Sequence, residues 1–188
     1  MSWTGIEAWA RTHAPKLPLL PPSSPADIAA AEDVLGLTLP ADLAAWWRQF
    51  GGIDDKYTRW ELIAPSWHPY SLREALDDRT RMMDAIRGIA SSSPDEEAAS
   101  GEPAGSPCSD WWLPGWLPIA SDGCGWLLFV DLRGGPLHGC VMEWDKYGGA
   151  ENEPLWPNVT EMFAFALRAL ESGDGERRVA LDDGLYWE

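Results

Sequence analysis

The chain has 188 residues, enough for one domain at roughly 150 residues each, with an insertion or tail left over. Thirty Asp and Glu against 14 Lys and Arg give a formal charge of -16, which excludes a reader of the nucleic-acid backbone, whose affinity rests on clustered cations. With 45% apolar and 23% charged residues there is material for one sizeable core, and wholesale disorder is excluded.

Three cysteines, Cys108, Cys124 and Cys140, form no CxxC pair and leave an odd thiol, so neither a disulfide scaffold nor a zinc site is expected, and a reducing cytosol fits. Met1 to Arg11 lacks a basic region followed by an apolar run, and no stretch approaches 18 uninterrupted apolar residues. The expectation is a soluble, cytoplasmic protein without membrane insertion.

Thr4 and Glu7 stand at capping-box spacing ahead of Ile6, Trp9 and His13, which predicts a short helix over 4–13. After the proline-rich stretch from Pro15, Ser24 as N-cap, Pro25 and Asp27 open a second helix with Ile28, Ala31, Val34 and Leu35 on one face, closed by Gly36. Pro40 and Asp42 start a third, in which Leu43, Trp46, Trp47 and Phe50 recur at helical steps up to Gly51-Gly52, with Trp47 at the edge of the stripe. The segment from Tyr57 to Ala64 predicts a strand around 59–63. A second capping box, Ser71 with Glu74, begins a helix over about 71–89.

From Ala90 to Ser109 the chain holds almost no large apolar side chain and predicts a mobile acidic loop. Three apolar runs follow, 117–120, 126–131 and 139–144, separated by Asp122-Gly123 and Gly134-Gly135, the pattern of antiparallel strands joined by tight turns. Asn158 and Glu161 cap a helix carrying Phe163, Ala166, Leu167 and Leu170, and 178–181 with 184–187 suggest a terminal hairpin. Helices, then strands, then a helix make the class α+β, one domain with a mainly antiparallel (mixed) sheet packed by helices.

Ile28 to Gly52 reads IAAAEDVLGLTLPADLAAWWRQFGG, a helix, an LG-x-x-LP joint and a second helix ending in glycines. Trp116 to Leu132 reads WLPIASDGCGWLLFVDL, Gly139 to Asp145 reads GCVMEWD, and a Phe-containing helix closes the series at 159–170. These four pieces in this order resemble the SUKH superfamily over about 25–172, with the 90–109 insertion and the extension at 173–188 as additions. Trp126 stands where the family pattern has a small or acidic residue. The superfamily includes fungal cell-wall-assembly regulators and bacterial immunity proteins of polymorphic toxin systems. The resemblance implies a binding protein without chemistry of its own. In bacteria it would block a toxin such as a nuclease or nucleic-acid deaminase.

The residues themselves are compatible with that implication. A strongly acidic surface steers a cationic partner, although acidity also serves solubility alone. Among the 13 tryptophans, Trp46, Trp126 and Trp144 fall on core positions of helices or strands. Trp60, Trp67, Trp111, Trp112, Trp116 and Trp156 lie beside turns, Pro or Gly, where an aromatic can stay partly exposed and anchor a partner or instead pin a loop. The candidate partner-binding set is therefore Trp60, Trp67, Trp111, Trp112 and Trp116 with the carboxylates Asp54, Asp55, Glu151 and Glu153.

No cofactor or metal is expected. His13, His68 and His138 show no ligand spacing, and Asp122-Gly123-Cys124-Gly125 lacks the oxygen series of a calcium loop. His138 and Cys140 stand two apart on a predicted strand, and Asp131, Glu143 and Asp145 could be hydrolytic carboxylates or strand-end residues. GxSxG, P-loop and GxGxxG motifs are absent. The expectation is a non-enzyme that binds a basic toxin domain, with a scaffold in envelope assembly or a small-ligand binder with a Trp-lined pocket as alternatives. Monomer and dimer both stay open.

Overall fold

A computed structural model of the chain describes residues 2–54, 60–63, 66–89, 94–109, 111–172, 177–180 and 184–187. Its helices are α1 (Ser2–His13), α2 (Pro25–Leu35), α3 (Ala41–Trp47), α4 (Leu72–Ile89), α5 (Pro94–Gly101) and α6 (Val159–Ser172). The strands are β1 (His68–Pro69), β2 (Trp116–Ser121), β3 (Trp126–Asp131), β4 (Val141–Asp145), β5 (Arg177–Ala180) and β6 (Gly184–Trp187). β1 to β4 form one antiparallel sheet in chain order, and β5 pairs with β6 in a separate hairpin. The class is α+β.

Local sequence explains most helix starts. At α2 the Ser24 hydroxyl accepts from the Asp27 N–H while the Asp27 carboxylate accepts from the Ser24 N–H, and Gly36 turns left-handed at φ 66° to end the helix. At α4 the Ser71 N–H donates to Glu74 at 2.7 Å and the Glu74 N–H donates back to the Ser71 hydroxyl at 3.2 Å. Ser71→Ala removes one half of that exchange and is expected to cost about 1 kcal/mol, read as a lower urea midpoint with an unchanged slope.

Strand alternation divides the interior. Leu128 and Val130 of β3 face a larger core with Leu117, Ile119 and Val141, packed by α1, α2, α3 and α6. Leu127 and Phe129 face a smaller one with Trp112, Trp116, Met142 and the Met82–Met83 pair of α4. In the larger core Trp3 lies 4.5 Å from Phe50, and Trp46 lies 4.9 Å from Phe163, centroid to centroid. This aromatic cluster ties α1 and α3 to α6.

Several expectations need correction. α1 begins at Ser2, so Thr4 lies inside the helix and its hydroxyl bonds Gln49 instead of capping. α3 stops at Trp47, and Trp47 is wholly buried, its indole N–H donating to the Tyr70 carbonyl at 3.0 Å. In the strand predicted around 59–63, Arg59 lies outside the described residues, and Trp60 and Ile63 make only single bridges, to Leu185 and Trp67. Ile63 is buried with them, so one distant bridge, one local bridge and burial hold this segment without a ladder.

Within the span predicted as a mobile loop, residues 94–101 form α5 and Cys108 bridges Ala150. Polar anchoring replaces the missing apolar side chains here. Arg133 is buried, and its guanidinium donates to the Ala99 carbonyl at 2.8 Å and the Ser106 carbonyl at 2.7 Å. It also holds Asp131 through Nη2 at 2.7 Å, while the Gly105 N–H donates to the same carboxylate.

Candidate functional site

Burial removes most of the predicted aromatic anchors from the surface. Trp60 and Trp67 are buried, and Trp112 and Trp116 are fully enclosed in the smaller core. Turn-adjacent tryptophans are covered because distant segments fold over them: Trp60 by the β6 residue Leu185, and Trp116 by Arg133, whose guanidinium carbon sits 5.6 Å from its ring. Trp111 is half-buried, and Asp54, Glu151 and Glu153 are exposed. Asp55 lies outside the described residues.

The surviving candidates fall into two places. The Glu151–Glu153 segment starts at the antiparallel Cys108–Ala150 bridge, with hydrogen bonds of 2.8 and 2.9 Å, and Trp111 follows Cys108 on the other side, running away from those glutamates. Gly149, at φ 70°, makes this approach possible, since a Cβ there would sit 2.3 Å from the Ser109 carbonyl oxygen. Asp54 belongs elsewhere: its N–H donates to the Pro18 carbonyl beside the Leu19–Ile53 bridge.

The exposed aromatic that the core assignment missed is Trp126. It follows a turn in which the Asp122 carboxylate oxygen Oδ1 accepts from the N–H groups of Cys124 at 2.7 Å and Trp126 at 2.9 Å. Along β3 and β4 the pairs on one face are Val130 with Val141, Leu128 with Glu143, and Trp126 with Asp145. The first pair is buried under the helices, while the last lies at the open end of the sheet, so Trp126 keeps 37% of its surface.

The opposite wall comes from the segment after β4 and from α6. Val141 exchanges backbone bonds with Leu155 and Trp156, which holds both residues along the free edge of β4. Trp156 then meets Phe165 of α6 at 5.7 Å. The result is a cleft of about 380 Å³ whose lining includes Trp126, Trp156, Phe165 and Leu155, with Trp67 among its buried residues. Leu155 and Phe165 expose 44% and 41% of their surface. Contiguous exposed apolar residues of this kind mark interaction sites.

Asp122 and Glu143 also line the cleft. Burial, followed by the charges of Asp145 and Asp122, raises the Glu143 pKa above its ordinary value. Among the described residues Glu143 has no hydrogen-bond or ion-pair partner. A raised folded-state pKa favours folding below the unfolded value of about 4.5, and that contribution is lost as pH rises through the folded value. Glu143→Gln is therefore expected to raise Tm at pH 7, and the difference from the parent should vanish below about pH 4. The gain is small because half of the side chain is solvated. Equal Tm values at both pH values would contradict the assignment.

The other chemical candidates do not assemble. His138 sits in a turn, not on a strand, with Nδ1 3.1 Å from the Arg133 carbonyl oxygen. Burial pushes the Cys140 thiol up to about 12, so it stays protonated. Asp131 is occupied by Arg133 and is remote in role from Glu143. Among the described residues no three His, Cys, Asp or Glu side chains converge as a metal site, and no helix is long and apolar enough to cross a membrane.

Residues 22–164 match the SMI1/KNR4 family (SUKH-1). The chain belongs to this family. The match spans the LG-x-x-LP joint, the whole four-stranded sheet and the start of α6, and so includes every residue lining the cleft except Phe165. No curated protein matches the chain. Trp126, the departure from the expected family pattern, is thus placed at the mouth of the cleft within a SUKH-1 fold. A large aromatic opening a strand beside an Asp-Gly turn was the sequence signal for it, since the first residue of a strand often lies beyond the cover of its neighbours.

Proposed function

We propose that this SUKH-1 protein acts by binding another protein without catalysis, and that it is an immunity protein that blocks a basic toxin domain. The observation that carries the reading is the aromatic cleft at the open end of the sheet, lined by carboxylates on a chain of formal charge -16. Trp126, Trp156 and Phe165 supply area that loses water on contact, and the carboxylates steer and orient a cationic surface. Glu151 and Glu153, just ahead of Leu155 in the chain, extend the acidic rim, with half-buried Trp111 and exposed Asp54 as separate outlying contacts. Occlusion of the toxin's substrate channel is the mechanism.

The test is capture of partners from the native host with the tagged protein at low and at high salt, followed by expression of the captured partner alone and together with this protein. One dominant basic partner, released by salt, toxic alone and harmless in co-expression, is the expected result. Recovery of envelope-assembly proteins insensitive to salt, with no toxic partner, would replace immunity by a scaffold role.

A further inference from the structure

We propose that the cleft between the end of β3 and α6 receives an arginine side chain of the partner, the guanidinium lying against the aromatic wall and its N–H groups meeting Glu143 and Asp122. This inference rests on the protein-binding reading and adds the chemical identity of the anchor.

Two independent properties of the cleft converge on a guanidinium. The first is the wall: Trp126, Trp156 and Phe165 present aromatic surface in an opening of about 380 Å³, and exposed Leu155 adds an aliphatic edge for the methylene stem. Such a wall suits a cation that is flat, weakly hydrated and able to stack. The second is unsatisfied negative charge. Glu143 is half-buried without a cation or donor among the described residues, and Asp145 and Asp122 crowd it electrostatically. A cation entering the cleft relieves that repulsion and offsets the desolvation of the carboxylate.

The chain does not fill this role itself. Lys146, the cation nearest in sequence, is engaged outside the cleft: its Nζ donates to the Cys124 carbonyl at 2.8 Å and lies 5.1 Å from the Tyr147 ring centre. Asp122 commits Oδ1 to two backbone N–H groups, which fixes the carboxylate in place and leaves Oδ2 with no acceptor role among the described residues. Two preset acceptors beside an aromatic face match the forked donors of arginine better than the compact, strongly hydrated ammonium of lysine. A purely apolar anchor would leave Glu143 buried more deeply and still unpaired, which is costly.

The full chain labelled with 15N at tryptophan supplies the readout, because each indole N–H gives its own signal. Trp126→Phe and Trp156→Phe identify the two signals of interest. The probes are the blocked tripeptide Leu-Arg-Gly and its lysine and citrulline counterparts, citrulline keeping the shape of arginine without the charge. The arginine peptide should move the Trp126 and Trp156 signals and saturate, the lysine peptide should bind more weakly, and citrulline should bind about tenfold more weakly or not at all. Glu143→Gln should weaken the arginine peptide by about tenfold while the remaining indole signals keep their positions, which shows an intact fold.

Citrulline or lysine matching arginine, an unaffected Glu143→Gln variant, or immobile Trp126 and Trp156 signals would each overturn the proposal. The outcome separates from that of partner capture. A toxic basic partner recovered while the arginine peptide leaves Trp126 unmoved defeats the arginine anchor and leaves immunity standing. Arginine binding without any such partner does the reverse.

Discussion

Replacing Arg133 with alanine is expected to destabilise the protein by about 3–5 kcal/mol, lowering Tm by roughly 10 °C or more. Asp131, at the end of β3, has no exposed surface, and Arg133 bonds it through Nε at 3.0 Å and Nη2 at 2.7 Å. Removing the guanidinium leaves a carboxylate in the interior with backbone N–H donors from Gly105 and Arg133 but no counter-charge. The same substitution strips donors from the Ala99 and Ser106 carbonyls, which hold α5 and the following turn against the sheet. Two readouts distinguish these effects. Urea melts report the total loss, and amide exchange over 95–106 should lose protection before the β2–β3 amides do. The double variant Asp131→Asn with Arg133→Leu should recover part of the stability, because the stranded charge is gone, while exchange over 95–106 stays fast. A loss below about 1 kcal/mol in Arg133→Ala would show that the pair does not clamp this segment.

That clamp also shows why part of the fold could not be read along the chain. The helix boundaries set by Ser24, Gly36, Ser71 and Asn158 were legible, because a cap satisfies backbone groups within three or four residues of itself. β3 was legible over 126–131 because turn and alternation are local. α5 was not: its anchorage depends on a side chain 34 residues away in the sequence, donating to a carbonyl that has no residue signature. Composition correctly registers that 90–109 has little apolar material, but it cannot register a buried guanidinium from another element.

The candidate site was legible in kind and misplaced in detail. Carboxylates near aromatic residues were a sequence-level expectation, yet which tryptophans remain exposed depends on what folds over them. Trp112 and Trp116, beside Pro and Gly, are roofed by the β-sheet's second face and by Arg133. Trp126, on an alternating strand, is exposed because the sheet ends there. Glu143 was visible as a strand carboxylate two residues from Asp145 on the same face, but Asp122 joins them only through the turn before β3 and the strand register.

Trp112→Ala is expected to lose about 3–5 kcal/mol, whereas Trp111→Ala, one residue away, should lose about 1 kcal/mol or less. Trp112 has no exposed surface and packs edge-on to Trp116 at 5.6 Å, Phe129 at 5.5 Å and Trp144 at 5.9 Å. Alanine leaves a cavity among three aromatic rings that are already held by the sheet and by α4, so collapse around the gap is limited. Trp111 is half-buried at the edge of the same core, and water replaces much of what its removal vacates. Trp112→Phe should fall between the two, since it retains most of the ring contact and gives up an indole N–H that has no partner among the described residues. The comparison, made by urea denaturation, bears directly on how partner binding is mapped. A binding defect in Trp112→Ala reports loss of the folded state and says nothing about the surface. A defect in Trp126→Ala at unchanged stability locates the contact. Equal stability losses for Trp111→Ala and Trp112→Ala would contradict the burial difference on which that separation depends.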